Sequence, residues 1–177
     1  MTTFLNRMIG AALLNPAIYE EVEADHAATM QAMAVVALSS LAAGVGAVGL
    51  AGARMTTLAG ISLLAFAVWG IWAFLILQLG ARLFPSPGTQ ADLGQLLRTI
   101  GFATAPGILR IAAVIPGMTS AIFAVTAVWM LAAMIVAIRQ ALDYSSTARA
   151  FAVCALGWAL SLGFALGIGW MWSPRLY

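Results

Sequence analysis

Apolar residues recur at helical spacing from the start of the chain. Phe4, Leu5, Met8, Ile9, Ala12 and Leu13 fall on one side, with Asn6 and Arg7 opposite, which predicts a short amphipathic helix. Two placements suit it: the membrane surface or the flank of the protein's own bundle. Asn15-Pro16 reads as the next helix start, with Asn15 as cap and Pro16 in the first turn. Glu20 and Glu21 follow where the helix dipole favours negative charge. No glycine or proline breaks the pattern for many residues after Pro16, so one helix is predicted from there to about Gly52, its polar beginning projecting from the bilayer.

Beyond this lead the pattern is no longer amphipathic but almost wholly apolar, in five stretches at about 27–52, 57–80, 96–115, 118–139 and 150–172. Twenty residues rise about 30 Å as a helix, the thickness of a bilayer's hydrocarbon core. The punctuation between stretches is short: GARMTT, FPSPG, the Pro116-Gly117 pair and RQALDYSSTAR. Thr89 or Asp92 can cap the third helix, and Pro116-Gly117 suits a type II turn, since glycine accepts the positive φ at its third position. The predicted fold is all-α: a polytopic transmembrane helical bundle of five spans (27–177) behind a short N-terminal interfacial helix and an acidic juxtamembrane helix (1–26).

Composition agrees. Of 177 residues, 63% are hydrophobic and 8% charged, against roughly 25% charged in an average soluble domain. A net charge of +2 spread over eight arginines gives no footprint for nucleic acid. Cys154 is alone, which excludes a disulfide framework and marks a packing residue. Arg7 and Asn15-Pro16 interrupt what would be the apolar region of a signal peptide, so the first span is expected to insert the chain. With a cytoplasmic N-terminus, Arg7, Arg82, Arg98, Arg139 and Arg149 fall inside while Arg54 and Arg175 fall outside, with Arg110 near the outer end of the third span. That bias favours N-in.

The third span is the unusual one. RTIGFATAPGILRIAAVIPG carries Arg98 near its inner end and Arg110 within about 8 Å of its outer end, at 1.5 Å per residue. Both arginines have stems long enough to reach headgroups as anchors. Arg110, flanked by apolar residues, is also placed to face the bundle and meet a lipid phosphate, a carboxylate or free carbonyls. Pro106 has no N–H to offer the carbonyl of Phe102, which predicts a kink, and Gly101 and Gly107 permit close backbone approach there.

FPSPGTQADLGQLLRTIGFATAPGIL, then VWMLAAMIVAIRQAL and STARA, resemble the prokaryotic branch of the Yip1 family, and the opening GAALLNPAIYEEVEADHAATMQAMAVVAL is similar to the lead-in of some bacterial members. The strongest likeness is Gly101-Phe102 to Pro106, similar to the family's Gly-Tyr…Pro element. The resemblance spans nearly the whole chain. It implies a five-helix protein of the bacterial inner membrane with its N-terminus in the cytoplasm and no settled activity. The Asp-Leu-Tyr-Gly-Pro element of eukaryotic members and their long N-terminal region are missing here, so Rab binding is not carried over.

Candidate chemistry is sparse. Glu20, Glu21, Glu23, Asp25 and His26 form the densest charged patch, and Glu23 with His26 has the Glu-x-x-His spacing of di-iron bundles. Such bundles need a second motif and further glutamates; here only Asp92 and Asp143 remain, and His26 is the sole histidine. The patch therefore reads as a solvated helix face able to dock a partner, with no metal or other cofactor expected. Asp143 is placed to pair with Arg139. Ser145, Ser146 and Thr147 have no base beside them in the sequence, and no enzyme activity is expected. Ala155, Ala159, Gly163 and Gly167 repeat every four residues, a stripe of small residues along which helices pack; Ala42, Gly46, Gly49 and Ala53 are a looser version. The stripe serves either the bundle itself or contact with another copy or membrane protein. The expected function is a non-enzymatic membrane-organising, scaffold or assembly component in contact with the bilayer. The alternative is a small-solute or lipid transporter or channel.

Overall fold

The computed structural model describes residues 3–52, 54–85 and 91–172, and their side chains except at 48–52 and 164–172. Every regular element among them is helical: α1 (Phe4–Ala12), α2 (Pro16–Ala24), α3 (Ala28–Gly52), α4 (Met55–Leu77), α5 (Leu93–Phe102), α6 (Thr119–Ala141) and α7 (Thr147–Trp172). Segments Ala28–Ala47, Met55–Leu83, Leu93–Val114 and Thr119–Ala141 are long and apolar enough to cross a membrane, and α7 is apolar over Thr147–Gly163. The chain is a multi-pass membrane protein.

The helix predicted to run unbroken from Pro16 to Gly52 is two helices. Asn15 does cap α2, its side chain accepting from the Ala17 N–H with Pro16 in the first turn. At Asp25, however, the backbone turns extended, and the Asp25 carboxylate accepts from the Ala27 N–H at 2.9 Å. Aspartate offers its own backbone this alternative to the helix ladder. The break separates Glu23 from His26, which no longer share a helix face, and no cluster of metal-ligating side chains forms among the described residues.

α1 packs on the bundle rather than standing apart. Ala11 is fully buried, while Phe4, Met8 and Ala12 lie against a core that includes Tyr19, Val22, Ala32, Phe102 and Ala133. Tyr19 donates to the Ala11 carbonyl and Trp129 Nε1 to the Ala12 carbonyl. Leu5, Ile9 and Leu13 remain exposed on the opposite stripe. α1 ends with Leu14 at φ 62°, where the Asn15 and Leu14 N–H groups bond the Gly10 and Ala11 carbonyls, a Schellman closure.

α4 widens into a π-helix over Gln78–Leu83. There the Phe84 N–H reaches back five residues to Leu79, and Pro85, next in the pattern, has no N–H for the Gly80 carbonyl. The Tyr144 hydroxyl fills that gap, 2.9 Å from the carbonyls of Gly80 and of Phe84. Asp92 opens α5 with a capping box to Gln95; Thr89, the other predicted cap, lies outside the described residues. Ile115 to Met118 form the predicted tight turn, with Gly117 at φ 79° and the Met118 N–H on the Ile115 carbonyl. At the far end of α6, Asp143 at φ 50° closes a second Schellman motif. Arg139 bonds the Tyr144 carbonyl and the Thr147 hydroxyl there instead of Asp143.

Candidate intramembrane binding site

The third span changes helix type rather than kinking as an α-helix. α5 stops at Phe102, and Ala105–Val114 continues as a 3-10 helix with Pro106 in its first turn. Pro106 cannot donate to the ladder, and the next N–H, from Gly107, bonds three residues back to Thr104. Such runs rarely exceed four residues; this one runs for ten, with α3 close against it. A Cβ on Gly101 would come within 2.8 Å of the Ala32 Cβ. One on Gly107 would collide with the Ser39 Oγ, and one on Gly46 with the Arg110 carbonyl oxygen. In a 3-10 helix, residues three apart eclipse, so Gly107, Arg110 and Ala113 align.

Ser39, at this tight contact, also lines an open space beside it. A cavity of about 530 Å³, open on one side, is lined by α3 (Val36, Ser39, Ser40), α4 (Ile61, Ala65, Val68, Trp69, Trp72), the third span, α6 (Met130, Met134) and α7 (Trp158, Ser161). Its walls are mainly aliphatic and aromatic. Two of the four lining hydroxyls are satisfied locally: Ser40 bonds the Ala37 carbonyl and pairs with Ser62 at 3.1 Å, and Thr104 donates to the Gly101 carbonyl. Trp69 Nε1 donates to the Leu97 carbonyl. Trp72 Nε1 is buried with no acceptor among the described residues, its ring edge-on to Trp158 at 6.0 Å.

Arg110 is the cation of this cavity. Its Nε donates to the Thr126 hydroxyl at 3.1 Å and its guanidinium sits 5.1 Å from the centre of the Phe123 ring, an attractive cation–π geometry. Thr126 in turn donates to the Ile122 carbonyl. The two terminal nitrogens of Arg110 carry no hydrogen bond or ion pair to the described residues. The side chain thus faces the bundle interior with its planar fork open.

Arg98 is used differently. Only 3% exposed, it donates to the carbonyls of Val22 and Glu23, which α2 leaves free by ending at Ala24. Its polar partner is the protein's own backbone, not a headgroup. Arg7, which the sequence places on a polar helix face, is equally buried: it bonds Glu21, Asp25 and Gln31. Glu20 pairs with Gln140 and His26 is exposed, so the acidic patch divides between internal clasps and solvent. Glu23 is the perturbed member. Burial, then the nearby Asp143, pushes its carboxyl up from 4.5 to about 7.

The small-residue stripe of α7 does not meet the bundle. Ala155, Ala159 and Gly163 are exposed, and nothing lies within 4 Å of a Cβ built on Gly163; the side-chain position of Gly167 lies outside the described residues. α7 packs inward instead through Ala150, Val153, Cys154 and Gly157, the last against Trp72. The periodicity of small residues did not reveal which face would turn inward.

Compared with known proteins, the chain matches no family model, no curated protein and no solved structure.

Proposed function

We propose that this chain is a non-enzymatic membrane-organising or assembly component of the Yip1 type. It works by holding lipid or another membrane protein at its spans. Its setting is the bacterial inner membrane, with α7 as a fifth span and the N-terminus cytoplasmic; there α1 turns Leu5, Ile9 and Leu13 toward the lipid interface. The observation that carries this reading is the apolar cavity between the spans, to which Arg110 presents an open guanidinium. An ionisable group held at membrane depth marks a binding function by default. All six carboxylates of the chain lie at Glu20–Asp25, Asp92 and Asp143, so the apolar spans offer no acidic relay for protons or cations.

A second reading, a small-solute or lipid transporter, is favoured by the ten-residue 3-10 segment that carries Arg110, because mid-span 3-10 helix often marks a hinge. The test is gentle extraction of wild-type and Arg110→Ala protein from native membranes, with mass spectrometry of what stays bound. Stoichiometric lipid or protein retained by the wild type and depleted in the variant is the expected result. A solute-driven flux in liposomes that the same substitution abolishes would replace the organising reading with the transport one.

A further inference from the structure

Residues that line the cavity give it a direction. Along the third span it extends from Ile100 to Arg110, and along α4 from Ile61 to Trp72; the α4 stretch is eleven steps, or about 16 Å at 1.5 Å per residue. Half of a hydrocarbon core about 30 Å thick is about 15 Å, so the cavity is as long as one leaflet is deep. Trp69, Trp72 and Trp158 line it toward one end. Its other end holds Arg110, four residues and about 8 Å in 3-10 rise from the end of the span at Val114.

The charge is equally one-sided. The lining hydroxyls of Ser40 and Thr104 already donate to nearby carbonyls, and Thr126, which accepts from Arg110, donates to the Ile122 carbonyl. Arg110 keeps two nitrogens free of partners among the described residues, a fork that matches a carboxylate or phosphate with two parallel bonds. A cation left so at membrane depth is costly unless an anion joins it. The volume of about 530 Å³ lies within the usual range for one small-molecule ligand.

From these observations we infer that the cavity binds a single-chain anionic amphiphile, its carboxylate or phosphate head on Arg110 and its alkyl chain along Val36, Ala65, Val68 and Met134 toward the tryptophans. The inference rests on the organising reading above and names the ligand of that same site.

The test uses the full-length protein in an uncharged detergent, with the cavity tryptophans as reporters. The probes are an alkyl chain brominated near its middle and carrying a carboxylate, a lysophosphate or an alcohol head, together with a two-chain brominated phosphatidylglycerol. Saturable quenching by the carboxylate or the lysophosphate, at least tenfold tighter than by the alcohol, is the expected result; whichever of the two binds more tightly identifies the head. Arg110→Gln weakens the anionic probes about tenfold and leaves the alcohol unchanged. Ala65→Phe, which fills the cavity wall without touching the arginine, removes saturable quenching by all single-chain probes. The head-group series needs no variant and stands if Arg110→Gln fails to fold. Equal quenching by alcohol and carboxylate overturns the inference, as does tighter binding of the two-chain lipid. If either result coincides with stoichiometric lipid or protein retained through extraction, the organising reading survives without this ligand. Arg110-dependent solute flux would remove both.

Discussion

A guanidinium at 3% exposure is stable only if its donors are met, and Arg98 meets them with the carbonyls of Val22 and Glu23. Hydrogen bonds to charged groups contribute about 1.5–3 kcal/mol each. Arg98→Gln should therefore cost about 3 kcal/mol, seen as a lower unfolding temperature in detergent and earlier proteolysis between α2 and α3. Nothing in the sequence announces this clasp, because its partners are backbone atoms 75 and 76 residues away; local spacing puts Arg98 near the inner interface and Arg7 on the polar side of its helix. Glu23 lies beside the same clasp, facing Asp143, Arg98, Glu20 and Asp92. Its folded pKa, about 7, stands above the ordinary 4.5, so the folded state holds the proton over a range where the unfolded chain has lost it. Its contribution is full below pH about 4.5 and is lost as pH rises through about 7. Glu23→Gln should remove that loss between pH 5 and 8 in thermal unfolding. The Asp25 carboxyl, lowered mainly by its bonds to Arg7, runs the other way and protects the fold until the pH falls below the usual carboxylate range. A third residue-scale contrast is between two tryptophans. Trp69 has its N–H paired with Leu97 and Trp72 does not. Changing each to Phe should cost about 1 kcal/mol more at Trp69, the net worth of one hydrogen bond, as read from unfolding midpoints.

At the scale of elements, the third span in its 3-10 form lies close against α3, and glycines make that contact possible. Gly46→Ala and Gly107→Ala should each destabilise by about 1–3 kcal/mol, the usual cost of overpacking, because their methyl groups have no place to go. Gly60 and Gly70 on α4 have nothing within 4 Å. Gly60→Ala should be neutral or stabilising by up to about 1 kcal/mol through helix propensity alone. Unfolding in mixed micelles separates the two pairs. Pro106, Gly101 and Gly107 were legible in the sequence as a place where the helix changes and backbones approach; that the change is a ten-residue 3-10 run was not, since such runs rarely exceed four residues. The caps at Asn15 and Asp92 and the Pro116-Gly117 turn were legible because their chemistry is local. The break at Asp25 was missed because a pattern judged by glycine and proline overlooks an aspartate that bonds the backbone two residues on.

Across the described residues, polar ties gather at one end: α2 is joined to the start of α5 by Arg98 and to α6 by Gln140, and the α6–α7 link to the π-helical end of α4 by Tyr144. The overall plan of apolar helices joined by short links could be read from composition and spacing. The cavity could not, because its walls come from five segments whose relative rotation no single segment specifies. Rotation also decides the α7 stripe, which faces away from the bundle at Ala155, Ala159 and Gly163. Small residues four apart let a second helix approach closely, and another copy of the chain is one of the two partners expected for this stripe, the other being a different membrane protein. Disulfides form only when Cα atoms come within about 4.4–6.8 Å, so cysteine placement reads the approach directly. Ala159→Cys should give a covalent dimer on mild oxidation in native membranes. Wild-type protein, whose Cys154 is buried, should not. Val125→Cys, on an exposed position of α6, serves as the control for random collision. Dimer yield at Ala159→Cys no higher than at Val125→Cys would remove self-association through this face. A yield several-fold higher, reduced again by adding Gly163→Leu, would establish it, because leucine at Gly163 holds the helices apart without entering the bundle.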